Sequence, residues 1–93
     1  MLGPSNWTVD ILPTARRALR QLPPDLRDEI LDTLEALQED PFALAQSLRS
    51  RNDYYRIRFG VYRLIFRVFP EKHLVLVTRI AHRSSAYAGY TPL

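Results

Sequence analysis

Residues 54–69 read YYRIRFGVYRLIFRVF, and the fold is decided by how this stretch is read. Tyr55, Ile57 and Phe59 alternate with Tyr54, Arg56 and Arg58. After Gly60, the apolar set Tyr62, Leu64, Phe66 and Val68 alternates with Val61, Arg63, Ile65, Arg67 and Phe69. A period of two means that successive side chains leave on opposite faces of a strand. Gly60 between the two runs suits a tight turn, so the runs form an antiparallel hairpin. A third run, Leu74 to Ile80, follows the turn Pro70-Glu71-Lys72-His73 and extends the sheet. Burying unpaired arginine is prohibitive, so the face with Arg56, Arg58 and Arg63 has to be the one left in water.

Upstream of residue 54 the period is 3.6. In ARRALRQL, Ala15, Ala18, Leu19 and Leu22 fall at helical spacing, with Pro13 suited to the first turn. Pro23-Pro24 ends this helix and opens the next. Leu26, Ile30, Leu34 and Leu37 then form an apolar stripe, with Asp25, Asp28 and Glu29 at the favourable end of the helix dipole. Asp40-Pro41 closes it, and residues 41–53 read as a loop. Before the helices, WTVDIL at 7–12 alternates as a strand. The expected class is α+β, in the order β-α-α-β-β-β. One antiparallel sheet of about four strands is expected near 7–12, 54–60, 61–69 and 73–81. Helices near 14–22 and 24–39 form a hairpin packed on one of its faces. A chain of 93 residues suits one domain over 1–93, with 1–6 and 88–93 as flexible tails.

Charge is segregated along the chain. Residues 1–48 hold four arginines against eight acidic residues, a net −4; residues 49–93 hold eight arginines and one lysine against Asp53 and Glu71, a net +7. Arginines crowded on one sheet face repel one another unless an anion offsets them; phosphate is the economical anion, with an acidic protein partner as the competitor. With no cysteine, disulfides and thiolate metal sites are excluded. No GxxxxGK[ST] loop, HExxH or metal-ligand cluster is present, so no metal and no cofactor is expected, and phosphodiester chemistry here has to be metal-free. No apolar run approaches the ~18 residues of a membrane span, and MLGPSNW lacks the features of a signal peptide, so no membrane partner and a cytoplasmic location are expected.

From Tyr55 onward the chain resembles the RelE/ParE superfamily of type II toxins. The carrying residues are YRIRFGVYRLIF at 55–66, with Arg58-Phe59-Gly60-Val61-Tyr62-Arg63 as R-x-G-x-Y-R, and IAHRSSAY at 80–87; ARRALRQLPPDLRDEILDTLEALQEDP at 15–41 is similar to that family's helical hairpin. The resemblance implies the RelE fold, a cognate antitoxin, and a metal-independent endoribonuclease that cuts mRNA in the ribosomal A site and so inhibits translation. By position it implies a site of Arg56, Arg58, Arg63, Arg83 and Tyr87. With His82 added for its own chemistry, the catalytic candidates are Arg58, Arg63, Arg83, Tyr87 and His82, and the RNA-binding candidates are Arg56, Arg67, Arg49, Arg51 and Tyr54. His82 is either an acid or base or the residue that fixes the C-terminal segment. Tyr87 either moves a proton or stacks on a base. Tyr90 is a weaker stacking candidate, and His73 in its turn is inert. The best-known ribosome-dependent member carries lysine at the positions of Arg56 and Arg58. Arginine clamps phosphate well but is a poor base, so the residue that takes the proton stays open. The alternatives are a ParE-type inhibitor of DNA gyrase and an inactive RNA-binding member of the family.

Overall fold

The computed structural model describes residues 7–48 and 51–88, without the side chains of 51 and 52. The element order is β1 (Thr8–Ile11), α1 (Pro13–Gln21), α2 (Pro24–Leu37), β2 (Gln46–Leu48), β3 (Arg51–Phe59), β4 (Tyr62–Phe69) and β5 (Leu74–His82). A short 3-10 turn over Pro70–Lys72 links the last two strands. The fold is α+β, and the helical hairpin covers one sheet face as expected.

Both helices start on a proline and are shaped by where their apolar residues fall. In α1, Ala15 and Leu19 are buried, and the N–H of Leu22 donates to the carbonyl of Leu19 as Pro23 stops the helix. In α2, Ile30 and Leu37 are fully buried and Leu34 nearly so. Burying each such side chain contributes about 1.5–3 kcal/mol. The Phe42 N–H donates to Asp40 Oδ1 at 2.9 Å, turning the chain away from α2 toward the sheet. The buried stripe meets Ile57, Phe59, Leu64, Phe66, Val68, Val75, Val77 and Ile80 from the sheet in one core.

The sheet differs from the expectation in two ways. It has five strands in the order β1-β5-β4-β3-β2, and β1 lies parallel to β5, with Thr8 opposite Leu74 and Ile11 opposite Val77. Short turns force antiparallel neighbours, which holds for β3, β4 and β5. The helical hairpin is a long connection and imposes no such direction. It carries the chain across the sheet to the far edge, from which the meander returns to β1. The extra strand β2 lies within the stretch expected to be a loop, and Gln46 pairs with Arg56. Three residues are too few for their own period to declare a strand; pairing with β3 creates it.

At the β3–β4 turn, Phe59 pairs with Tyr62, leaving Gly60 and Val61 as a two-residue loop. Gly60 has φ of +59°, the left-handed region that this tight hairpin requires at its first central position. Between β4 and β5 the register shifts: Ile65 pairs with Arg79, but Phe66 pairs with Val77, so Thr78 is an extra, bulged residue. Among the described residues, no helix is long and apolar enough to cross a membrane.

Candidate nucleic-acid interface

The sheet face away from the helices carries the arginines. Register pairs Arg58 directly with Arg63, and Tyr54 with Arg67. Directly opposed side chains have Cβ atoms about 4.5–5.5 Å apart, so two like charges held there destabilise the strand pair until an anion arrives. Arg58 is exposed, and its guanidinium makes no hydrogen bond or ion pair among the described residues. Arg63 is half-buried; its Nη1 donates to the carbonyls of Gly60 and Tyr62, both at 2.8 Å. The turn thus fixes Arg63 through one nitrogen.

The C-terminal residues 83–88 form turns that fold back over this face. The Arg83 N–H donates to the Val61 carbonyl at 2.6 Å, which places exposed Arg83 beside the β3–β4 turn. Ala86 is fully buried against Ile65 and Leu48, with Tyr54, Ala81 and Tyr87 packed around them. The arginine face is therefore not wholly uncovered, as the sequence suggests: a small second core sits at its centre. The physical reason is Ile65, which points out of the main core and needs a cover.

That cover brings Tyr87 to Arg56. Arg56 Nη1 donates to the Tyr87 hydroxyl at 3.3 Å, with the guanidinium carbon 5.8 Å from the ring centroid. The other two nitrogens of Arg56 donate to Gln46 Oε1 at 3.3 and 3.1 Å. Arg56 is thus a fully engaged support for Tyr87, whereas Arg58 keeps its donors open. Arg67 is also engaged: its Nε bonds Asp53 Oδ2 at 2.6 Å, and it lies 4.5 Å from the Phe69 centroid and 5.7 Å from that of Tyr54. Its charge is offset in place, so it and Tyr54 form the flank of the surface, distant in register from the Arg58–Arg63 pair. Arg49 and Tyr90 lie outside the described residues, as does the Arg51 side chain.

His82 pairs with Tyr62, a residue of the helix-covered face, and the rings meet edge-to-face at 5.9 Å. Register therefore places His82 on the face opposite Arg63, whose partner is Ala81. Its Nδ1 accepts from the Ser84 N–H at 3.1 Å and lies 2.9 Å from the Ser84 hydroxyl, while its carbonyl accepts from the Ser85 N–H at 2.9 Å. These contacts are those of a residue that shapes the turn leading to Tyr87. A proton-transfer role for His82 at the arginine pair has this register against it. His73, read as inert, occupies the left-handed region at φ 48° and stacks on Trp7 at 4.8 Å.

Gln46 and Arg79 escaped the sequence reading. Gln46 lay in the presumed loop. Arg79 is hidden by strict alternation: counting by twos from Val75 and Val77 places it in the core. The spacing Val75, Val77, Ile80 of buried positions is the signal of the bulge that turns Arg79 outward.

The surface consists of a pair of cross-strand arginines, a third arginine at the adjoining turn and a supported tyrosine. A family model described as the ParE toxin of type II toxin-antitoxin system, parDE, matches residues 9–87. Toxin RelG of Mycobacterium tuberculosis is 31% identical over 83 residues, covering 87% of this chain and 95% of that protein. The M. tuberculosis toxin–antitoxin complex RelBE2 has a chain with TM-score 0.73 at 30% identity, covering 86% of this chain and 94% of that one. The intact E. coli RelBE toxin–antitoxin complex gives 0.74 at 28% identity, covering 82% and 95%. With the family model spanning nearly all the described residues, the chain belongs to the RelE/ParE superfamily of type II toxin–antitoxin toxins.

Proposed function

We propose that this toxin is a ribosome-dependent, metal-independent mRNA endoribonuclease. The observation that carries the reading is the direct Arg58–Arg63 pair, left without a carboxylate, with Tyr87 on the same face and Arg83 at the adjoining turn. Cleavage by the substrate's own 2′-OH needs alignment and charge stabilisation at phosphorus. The 2′-OH gives its proton to water, its oxygen bonds to phosphorus, the bond from phosphorus to the 5′-oxygen breaks, and a 2′,3′-cyclic phosphate and a 5′-OH result. Arg58, Arg63 and Arg83 stabilise the charge that develops on the phosphoryl oxygens. Tyr87, its hydroxyl oxygen accepting from Arg56, keeps its own O–H proton to give to the leaving 5′-oxygen. Acting at the A site places the toxin in the cytoplasm, and the site itself aligns the RNA.

The neighbours' antitoxin complexes support a cognate antitoxin for this chain too. Its charge should oppose the arginine face and its apolar residues anchor beside the sheet. Failure of the product of an adjoining reading frame to bind the toxin or rescue growth would count against this pairing.

The test of activity is an in vitro translation reaction, with mRNA ends mapped by primer extension, beside a gyrase supercoiling assay. Cleavage leaving cyclic-phosphate ends is the expected result. Full cleavage by the combined Arg63→Ala, Arg83→Ala and Tyr87→Ala protein would sink the site. The match to the ParE model favours one second reading, a gyrase inhibitor, and loss of supercoiling without cleavage would establish it.

A further inference from the structure

Tyr87 sits on a segment that has neither a strand nor a helix to hold it. Its backbone carbonyls therefore have no ladder to enter; that of Ser85 accepts from the Ala88 N–H at 3.3 Å, and something else must supply further donors. One side chain does so. Arg79 Nη1 donates to the Ser85 carbonyl at 3.4 Å, to that of Ala86 at 3.2 Å, and to that of Ala88. These three carbonyls bracket Tyr87 on both sides. Arg79 itself is set in the middle of β5, opposite Ile65, on which Ala86 packs. The bulge at Thr78, whose hydroxyl reaches the Ile65 carbonyl at 3.3 Å, aims Arg79 at this face and not at the helices. Arg56 then meets the tyrosine hydroxyl from β3, on the other side of β4.

We infer that Arg79 is the positioning residue of the site: it clamps the C-terminal turn so that Tyr87 arrives with its hydroxyl in place, and it does not touch the RNA. A guanidinium is suited to this because its N–H groups can be shared among several carbonyls and its charge strengthens each bond. The inference rests on the nuclease reading only for its kinetic part; the clamp itself is a statement about the chain.

The test uses the full-length toxin with Arg79→Met, which keeps the stem and removes the donors, and Arg79→Lys, which keeps the charge. Each is made with Tyr87 and with Tyr87→Ala. Single-turnover cleavage on programmed ribosomes and backbone amide exchange are measured together. Arg79→Met should slow cleavage ~10²-fold, the scale of a misplaced catalytic group, with ribosome affinity unchanged. In the Tyr87→Ala background it should cost nothing further, because residues acting through one another are not additive. Arg79→Lys should recover part of the rate. Amides of residues 84–88 should lose protection in Arg79→Met while those of β3, β4 and β5 keep theirs. Losses that multiply in the double variant, or lower affinity alone, would overturn the assignment by making Arg79 an RNA contact. An unchanged exchange pattern over 84–88 would overturn the clamp. If the unaltered toxin cleaves no mRNA, the nuclease reading fails, and amide exchange decides the clamp by itself.

Discussion

Arg63 shows how much one residue does here. Its Nη1 bonds two carbonyls of the turn, while register sets the residue directly opposite Arg58. Arg63→Ala should therefore cost ~1–2 kcal/mol of stability through the lost turn bonds, visible as a small fall in Tm. Cleavage should fall much further, about 10²–10³-fold, as for a lost donor to a developing oxyanion. Arg58→Ala should separate the two effects, since its guanidinium holds nothing in the fold and its charge opposes that of Arg63: the same loss in rate with a Tm unchanged or slightly raised. Tyr87 poses a different choice. If its hydroxyl moves a proton, Tyr87→Phe should lower the single-turnover rate roughly 10²–10⁴-fold. A silent Tyr87→Phe beside a damaging Tyr87→Ala would assign stacking instead.

At the scale of elements, the β3–β4 hairpin is the device that holds the arginines. A two-residue loop fixes its register, and a shift of one residue would send Arg58 and Arg63 into the core. Gly60 is required there for its backbone and not for space: a Cβ built on it meets nothing within 4 Å. Gly60→Ala should thus destabilise the protein by about 1–2 kcal/mol, the strain of a left-handed residue with a side chain, in denaturant melts. Its m-value should stay the same. A larger loss with a changed m-value would mean that the register itself had slipped. The C-terminal turn contrasts with this rigid hairpin. A few turn bonds of its backbone are joined by side chains: Ala86 in the small second core, the His82 ring on Ser84, and Arg79 on three carbonyls.

Across the whole molecule, charge and architecture coincide. The acidic helical hairpin lies on one side of the sheet and the arginine surface on the other, so the split along the chain becomes a split in space. Binding to single-stranded RNA should weaken linearly on a log–log plot against salt, with a slope near −0.7 per phosphate contacted. Arg58→Ala should reduce that slope by ~0.7 in an oligoribonucleotide titration. Arg67→Ala should leave the slope nearly unchanged, because Asp53 already offsets that charge. Equal slopes for the unaltered protein and Arg58→Ala would remove Arg58 from the phosphate contacts.

The helical hairpin, the meander and the arginine face are legible in the amino-acid order alone. Each is written in a local period: Ile30, Leu34 and Leu37 at helical spacing, and Arg56, Arg58 and Arg63 opposite Ile57, Phe59 and Leu64. Such patterns need only near neighbours and the rule that charge stays wet. Tertiary structure decided what depends on contacts between distant segments. It put β1 parallel beside β5, because a long connection leaves direction free. It made a strand of Gln46–Leu48 by pairing it with β3. It inserted Thr78 as a bulge, which carried Arg79 out of the position that alternation assigns and sent Ile80 into the core. It also turned His82 to the helix-covered face and folded Ala86 onto Ile65, so that Tyr87 meets Arg56. Register, bulges and the path of an irregular segment are properties of pairs of segments, and a period within one segment does not contain them.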